Sequence, residues 1–400
     1  MPLNVNSEIG RLRKVMVHSP GSELLAVTPA NRDEYLYDDI LDLPRARAEH
    51  QRFTAILRQF CTVYEVRELL EQALEIPEAK EFLLKRSEDV TGDHTLRQRL
   101  GELANPVLVQ RFIEGWRLPT GLFSERLDKH SYILPPLPNL FFTRDASMVI
   151  DGGVVISTMR FLSRWPEEAI MRTLFGFHPE LAGREILYDG SAERHRDFTL
   201  EGGDVHPLTP EVVLVGISER TSAAAVDALC EALFRKTSVR EVLAVVLPER
   251  STAIHLDMVW TQIDRELCLI HPPTFLGPTR APVLHRRKGQ QVIHEASSLF
   301  LALADVGLRM EPVLCGGQSS EMQDREQWAS GCNSFALAPG VLLAYARNEA
   351  TLQALAAAGF RITDTLPDPP DQRTVVTFAG DELVRGGGGP RCMTCPILRE

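Results

Sequence analysis

The stretch RGGGGPRCMTCPIL, from Arg385 to Leu398, carries a run of four glycines that leads through a proline and an arginine to a cysteine. Glycine backbones approach ligands closely and reach dihedral angles closed to other residues, so the run indicates a loop shaped around a bound molecule. Cys392 is therefore the candidate nucleophile. Arg391 and the backbone amides of the loop would both favour the thiolate, which is the reactive form. Taken alone, the stretch is equally compatible with a flexible tail that holds an incidental cysteine.

The composition indicates an acidic globular protein. Its 400 residues fit two average domains or one large repetitive one, and 44% are hydrophobic, enough for a large core. A net charge of −11 without a long basic run argues against nucleic acid or membrane as partner and suits a small cationic substrate. The first residues lack the apolar core of a signal peptide, so we expect a cytoplasmic protein. Seven cysteines, an odd number, fit reduced thiols rather than a disulfide framework.

The first part of the chain predicts a strand, a helix and a second strand, followed by a helical insertion. The strand covers Arg11–His18, the helix roughly Pro44–Gln59, and the second strand starts at Val63. From about 69 to 130 the sequence is charged and leucine-rich, with helical periodicity and almost no strand signal. We predict that a catalytic α/β domain over 1–400 is interrupted there by an inserted helical domain; a solvated linker is the alternative.

The remainder predicts a loose internal repeat of hairpins, each followed by a helix. The four hairpins lie at Asp145–Thr158, Asp204–Ser218, His255–Pro272 and Asn333–Tyr345. A polar residue stands just before or within the first strand of each: Asp145, Glu201 to Asp204, His255 with Asp257, and Asn333. Each one alone is compatible with an ordinary hairpin cap. Around a pseudo-symmetric axis, however, these pre-strand residues would converge on one ligand site.

A cysteine, a histidine and several carboxylates together suit a planar cation, because a carboxylate matches the edge of a guanidinium group with two hydrogen bonds. His255 and Asp257 are two residues apart in a strand-like segment, which would put both on one face. Other chemistries are less compatible. Cys392 and Cys395 form C-x-x-C, half a zinc or redox motif, but the sequence holds no second such pair. A cysteine protease has no use for so many carboxylates, and a glycoside hydrolase has no use for the cysteine. His255 is also compatible with a structural position in the core.

The segments LPNLFFTRD, EGGD, HLDMVW and GGPRCMTCPILRE occur in this order, and together they resemble the arginine deiminases of the guanidino-group-modifying superfamily. GRLRKVMVHSPGSEL and CNSFALAPG resemble that family too, so the resemblance covers nearly the whole chain. It implies an α/β fold, a five-fold pseudo-symmetric ββαβ propeller with an inserted helical domain, which agrees with the repeat and the insertion above. We further expect a homo-oligomer, either a dimer or a tetramer.

The resemblance also implies a reaction, the hydrolysis of free L-arginine to L-citrulline and ammonia without metal or organic cofactor. Cys392 would form a covalent amidino-thioether, with His255 as general acid and base. Asp145 and Asp257 would bind the guanidinium nitrogens, supported by Glu201. The substrate-binding residues that the resemblance implies are Asn139, Arg164 and Arg220 at the α-carboxylate, Phe142 at the alkyl chain and Asp204 near the guanidinium.

One position departs from the family pattern. Gly387 stands where members commonly carry an arginine that helps cover the occupied site, so Arg385 or Arg391 would have to substitute for it. Because Arg164 and Arg220 are retained, the resemblance favours an amino acid over agmatine, which has no carboxylate. Two alternatives stay open: a sibling enzyme (methylated-arginine hydrolase, agmatine deiminase or amidinotransferase) and a non-catalytic arginine sensor.

Overall fold

The computed structural model describes residues 3–91, 93–119, 121–127, 132–192, 198–248, 253–368 and 373–400, which form a mixed α/β fold. The helices in chain order are α1 (Leu43–Phe60), α2 (Val66–Ala73), α3 (Pro77–Thr91), α4 (His94–Gly101), α5 (Asn105–Glu114), α6 (Phe123–Leu127), α7 (Thr143–Ala146), α8 (Trp165–Phe177), α9 (Ala223–Lys236), α10 (Pro272–Phe275), α11 (Leu299–Asp305), α12 (Ser320–Trp328) and α13 (Glu349–Ala357). None of these helices, within the ranges given, is long and apolar enough to cross a bilayer.

The strands in chain order are β1 (Leu12–Val17), β2 (Thr62–Glu65), β3 (Trp116–Arg117), β4 (Tyr132–Leu134), β5 (Ser147–Ile150), β6 (Gly153–Ile156), β7 (Ile186–Asp189), β8 (Val205–Thr209), β9 (Val212–Ile217), β10 (Glu241–Val246), β11 (Trp260–Gln262), β12 (Leu267–Ile270), β13 (Val283–Arg287), β14 (His294–Ala296), β15 (Glu311–Leu314), β16 (Phe335–Ala338), β17 (Val341–Tyr345), β18 (Arg361–Thr363), β19 (Thr374–Phe378) and β20 (Cys395–Arg399).

Five sheets share one local topology, in which an antiparallel pair is joined by a parallel strand that the chain reaches through a helix. Four of them follow the chain order: β5–β6–β7, β8–β9–β10, β11–β12–β15 and β16–β17–β19. In the fifth, β20 pairs antiparallel with β1, which pairs parallel with β2. The predicted repeat of hairpin and helix is confirmed. The arrangement of the five units around one axis stays a prediction.

The structure also contains strands that the sequence did not predict. The hairpin of β13 and β14 extends the sheet of β8 to β10, and a ladder of β3 and β4 lies at the end of the segment expected to be helical. These strands are two to five residues long, too short to show a clear alternating pattern.

Helices α2 to α5 account for most of the segment predicted as a helical insertion. They bury leucines such as Leu70, Leu83 and Leu108 in one cluster with Leu174 of α8. In α2 the buried residues recur three and four positions apart, which is the spacing of one helix face. The helices therefore pack on the sheet-and-helix unit that follows them. Residues 128–130 of the predicted insertion lie outside the described residues.

His18, at the end of β1, is a buried histidine between two carboxylates. Its Nε2 lies 3.2 Å from Oε1 of Glu23, and its Nδ1 lies 3.2 Å from Oε1 of Glu65. Burial lowers the pKa of His18, but its contacts with Glu23 and Glu65 outweigh that effect and raise the pKa to about 9. The charged imidazole therefore ties β1 to the end of β2 and to the loop before α1.

We expect His18→Gln to lower the free energy of unfolding by on the order of 3 kcal/mol at about pH 6. The figure follows from the pKa of His18, which folding raises from 6.5 to about 9. Because the folded-state pKa is the higher one, this stabilisation is fully present below about pH 6.5 and is lost as the pH rises through about 9. Urea denaturation across this pH range measures it. The exposed His294 gives a matched control in His294→Gln. If the difference in unfolding free energy between His18→Gln and the unmodified protein does not become smaller at alkaline pH, the charged contacts of His18 are contradicted.

Candidate active site

A cavity of about 220 Å³ contains most of the side chains that the sequence singles out. Seven predicted site residues are among those that line it: Asn139, Phe142, Asp145, Arg164, Arg220, His255 and Cys392. The other three, Glu201, Asp204 and Asp257, are fully buried behind the lining. The structure therefore brings all ten into one region.

The site forms where five chain segments lead into the first strands of their sheets. Asp145 precedes β5, Glu201 precedes β8, His255 precedes β11, Asn333 precedes β16 and Cys392 precedes β20. His255 contacts two of the others, with Nε2 2.8 Å from Glu201 and Nδ1 3.8 Å from Asp145. Nδ2 of Asn333 lies 3.1 Å from Sγ of Cys392. The predicted convergence of the pre-strand residues is confirmed.

The sulfur of Cys392 lies between an amide and a carboxylate. Sγ accepts a hydrogen bond from Nδ2 of Asn333 at 3.1 Å and donates to Oδ2 of Asp257 at 3.6 Å. Burial, then the charges of Asp257 and Asp145, raise the pKa of the thiol well above its usual value. Arg391 and the loop backbone act in the opposite direction, as expected, but are outweighed. The predicted direction of these two effects is confirmed, but burial and the two carboxylates keep the pKa of the thiol raised.

The glycine run brings the loop backbone into contact with the side chains of the site. A Cβ at Gly388 would lie 2.5 Å from the ring of Phe142, and one at Gly389 would lie 2.8 Å from Cβ of Asn333. Gly387 has a φ of +87°, in the left-handed region that favours glycine. The glycines thus let the loop backbone approach side chains of the protein closely, and the predicted approach to a bound molecule stays a prediction.

His255 is a buried cation held by carboxylates. Burial lowers its pKa, but Asp145 and the hydrogen bond with Glu201 outweigh that effect and raise the pKa to about 9. Burial raises the pKa of Glu201, but Arg220 and His255 together lower it to about 2. The pair is therefore an imidazolium and a carboxylate near neutral pH, which makes His255 a ready general acid.

His255 and Asp257 do not lie in a strand, so that prediction is wrong. A single 3-10 turn, Leu256–Met258, follows His255. Asp204 stabilises the turn, because its Oδ1 accepts the N–H of Leu256 at 2.8 Å. Its Oδ2 accepts the hydroxyl of Ser218 at 2.7 Å, and burial raises its pKa to about 6. Both oxygens of Asp204 are thus used within the protein, and its contact with a guanidinium stays a prediction.

Arg164 and Arg220 bind the carboxylates of the site. Nη1 of Arg164 lies 2.8 Å from Oδ2 of Asp145, and its other nitrogens bind both oxygens of Glu167 at 2.8 and 3.0 Å. Nη1 of Arg220 lies 3.4 Å from Glu201. Burial raises the pKa of Glu167 to about 7 although Arg164 lowers it. Glu167 was not among the predicted site residues. Its position three residues after Arg164, at the start of α8, is the sequence feature that indicates the contact.

Arg391 lies buried behind the sulfur. Its Nε and Nη2 bind Glu8 at 2.9 and 3.2 Å, and its Nη1 binds Oδ2 of Asp257 at 2.8 Å. Glu8, in a segment without a recognisable motif, was also missed. Arg385 instead bonds to Asp39. Neither Arg385 nor Arg391 lines the cavity. Neither therefore replaces the arginine that the family pattern has at the position of Gly387.

Three buried polar atoms of the site have no hydrogen-bond partner in the part of the chain that the structure describes: Oδ1 of Asp145, Oδ1 of Asp257 and Nε of Arg220. An unpaired buried polar group costs about 1–3 kcal/mol, so the three together point to a ligand. Such a ligand would offer donors to the carboxylates near the sulfur and an acceptor to the arginine.

Asp145, Glu201 and His255 also place one potential metal ligand each within 4.8 Å of one another. The guanidinium groups of Arg164 and Arg220 already bind these carboxylates, and His255 is protonated near neutral pH. A metal ion would have to compete with both guanidinium groups for these carboxylates and displace the proton of His255. The trio therefore fits an organic cation that forms hydrogen bonds better than it fits a metal.

Comparison with known proteins identifies relatives over the whole chain. The family model described as arginine deiminase matches residues 33–399. The arginine deiminases of Listeria monocytogenes serotype 4a (strain HCC23) and Rhodococcus erythropolis (strain PR4) are 34% and 33% identical, over 100% of this chain and 98% of each of those proteins. The fold is similar to that of the N-terminal domain of ArgZ, with a TM-score of 0.55 at 13% identity, over 96% of this chain and 98% of that domain.

We expect Gly389→Ala to lower the free energy of unfolding by about 1–3 kcal/mol, because its Cβ would overlap Asn333 in a closely packed region. Thermal and urea unfolding measure the loss. Gly152→Ala is the matched control, since its Cβ would meet the nearest atom, a carbonyl oxygen of Leu3, only at 3.8 Å. Equal stability of the two variants would show that the loop has room to move.

Proposed function

Since the chain belongs to the arginine deiminase family, we propose that it hydrolyses free L-arginine to L-citrulline and ammonia. One observation carries the proposal. Oδ1 of Asp145 and Oδ1 of Asp257 accept no hydrogen bond from the described residues and match guanidinium N–H groups, and Nε of Arg220 donates none to them and matches a carboxylate. L-arginine offers both groups on one flexible chain. A net charge of −11 also suits a cationic substrate.

In the proposed reaction, the bound guanidinium creates the nucleophile. Its charge offsets Asp145 and Asp257, which together with burial raise the pKa of Cys392. The thiol therefore releases its proton to water, and the thiolate attacks the guanidinium carbon. His255 then gives its proton to the departing amino group, which leaves as ammonia, and the carbon stays on sulfur as an amidino-thioether. The fold relative ArgZ has been solved covalently bonded to a reaction intermediate, which supports a covalent route.

The second half returns the site to its starting state. Neutral His255 takes a proton from water while the water oxygen attacks the amidino carbon. The carbon–sulfur bond then breaks, and the hydroxyl proton of the intermediate passes to the departing sulfur. Citrulline forms, and the site again holds a Cys392 thiol and a protonated His255. Glu201, 2.8 Å from Nε2 of His255, stabilises the imidazolium in both halves.

Arg164 couples the two ends of the substrate in this proposal. It now binds Asp145 through Nη1, while Glu167 holds its other nitrogens. The guanidinium of the substrate binds Oδ1 of Asp145, and the positive charge of Arg164 attracts the α-carboxylate beside Arg220, with Asn139 and Phe142 forming the wall between. Glu167 keeps Arg164 in place throughout.

The architecture that the resemblance implies belongs to the same proposal. We propose that the five sheet units stand around a common axis as a propeller, interrupted by the inserted helical domain at about 69–130. Three of the five pre-strand segments place Asp145, His255 and Cys392 in the cavity lining, while Glu201 and Asn333 lie behind it, and this meeting supports the arrangement. The homo-oligomer, dimer or tetramer, and the cytoplasmic location stay predictions.

We expect Cys392→Ala to abolish citrulline formation while arginine still binds, because the substitution removes the nucleophile and leaves the carboxylates. Colorimetric citrulline assay and titration calorimetry measure the two effects. Cys395→Ala is the matched control: this buried thiol contacts the carbonyl of Ser147 at 3.5 Å, and its loss should leave most activity. Equal inactivation of both variants would indicate redox or metal chemistry that uses both cysteines. Binding without turnover in the unmodified protein would indicate a sensor.

We expect Arg220→Met to reduce kcat/KM for L-arginine at least about tenfold more than for agmatine, because only arginine has a carboxylate for Nε to bind. The ratio of the two values cancels any general damage from the lost contact with Glu201. Ammonia release from both substrates measures it. If the unmodified protein prefers agmatine or dimethylarginine, or if the ratio does not change, the assignment to arginine is wrong.

A further inference from the structure

Asn333 is a fully buried side chain that holds the nucleophile loop through both of its polar atoms. Its Oδ1 accepts the backbone N–H of Arg391 at 3.0 Å and that of Cys392 at 3.1 Å. Its Nδ2 donates to the sulfur of Cys392 at 3.1 Å and to the carbonyl oxygen of Asp257 at 3.2 Å. One amide thus fixes the sulfur relative to the turn that carries Asp257.

The charged groups around the sulfur leave it short of stabilising contacts. Asp257 and Asp145 face it from two other segments, and they act with burial against its ionisation. Arg391 acts in favour of it, but the guanidinium group is bound to Glu8 and Asp257. In the ranges that the structure describes, Asn333 is the side chain whose hydrogen-bond donor reaches Sγ. A hydrogen bond to a charged acceptor is about twice as strong as a neutral one, so this contact strengthens when the thiolate forms.

We propose that Asn333 is a catalytic residue, which stabilises the Cys392 thiolate through Nδ2 and aims the sulfur through Oδ1. The assignment rests on the proposed function for the identity of the substrate. The contact with sulfur is a property of the protein itself and acts on any electrophile that enters the cavity. Asn333 does not line the cavity, so its effect falls on the nucleophile and not on substrate binding.

Asn333→Asp separates the two roles. A carboxylate still accepts the backbone N–H groups of Arg391 and Cys392, but once ionised it donates nothing to the sulfur. Alkylation by iodoacetamide, in which an S–C bond forms and iodide leaves, reports the thiolate and is followed at Cys392 by peptide mass spectrometry. We expect the rate at about pH 7 to fall tenfold to a hundredfold, and its midpoint to move to higher pH. For arginine, kcat should fall while KM stays within about twofold.

Asn348→Asp is the matched control. Asn348 is also buried, and its Nδ2 donates to the carbonyl of Ala329 at 3.0 Å, so its replacement leaves the donor to Sγ in place. Its alkylation profile should match that of the unmodified protein.

Circular dichroism shows whether each variant folds, and Asn333→Ala replaces Asn333→Asp if the latter does not. An unchanged alkylation profile in the folded variant overturns the proposal. If the alkylation profile of the variant changes as expected but the unmodified protein does not turn over arginine, the proposed function fails and the role of Asn333 stands.

Discussion

Buried ion pairs around Cys392 are the constraint on which the site depends. A carboxylate that leaves water is costly unless a cation or several donors compensate it. Here Asp145 is bound to Arg164, and Asp257 to Arg391, each at 2.8 Å. Asp257 and Arg391 are 134 residues apart in the chain, so the contact that compensates their charges also joins two pre-strand segments.

Incomplete pairing turns this charge network into a binding site. A network with every oxygen satisfied would be purely structural, and one without cations would not stay folded. In Asp145 and Asp257 one oxygen meets an arginine of the protein and the other has no hydrogen-bond partner among the described residues. The protein's own guanidinium groups therefore show the geometry that these carboxylates accept, and the remaining oxygens are available to a further group of the same kind.

The sequence predicted the candidate reactive residues better than the residues that hold them in place. Cys392 and His255 stand in recognisable motifs, and the convergence of His255 with Asp145, Glu201 and Asn333 was predicted from the repeat. Glu8 and Glu167 stand in ordinary sequence, and only the folded chain shows that they bind the arginines of the site. The effect of the carboxylates that raise the pKa of Cys392 was missed for the same reason. Arg391 is its neighbour in sequence, whereas Asp257, 135 residues away, is its neighbour in space. Local patterns carry no information about such distant charges.

A thiol that stays neutral until a cation arrives has a consequence for selectivity under the proposed function. A permanent thiolate would react with many electrophiles, whereas burial and the charges of Asp257 and Asp145 keep this sulfur protonated. A neutral molecule of the same shape as the substrate would leave those charges in place, so the sulfur would stay unreactive even with the molecule bound. The positive charge of the substrate thus acts in the chemical step as well as in binding. Because it favours the reacting state over the bound one, it contributes to rate and not only to affinity.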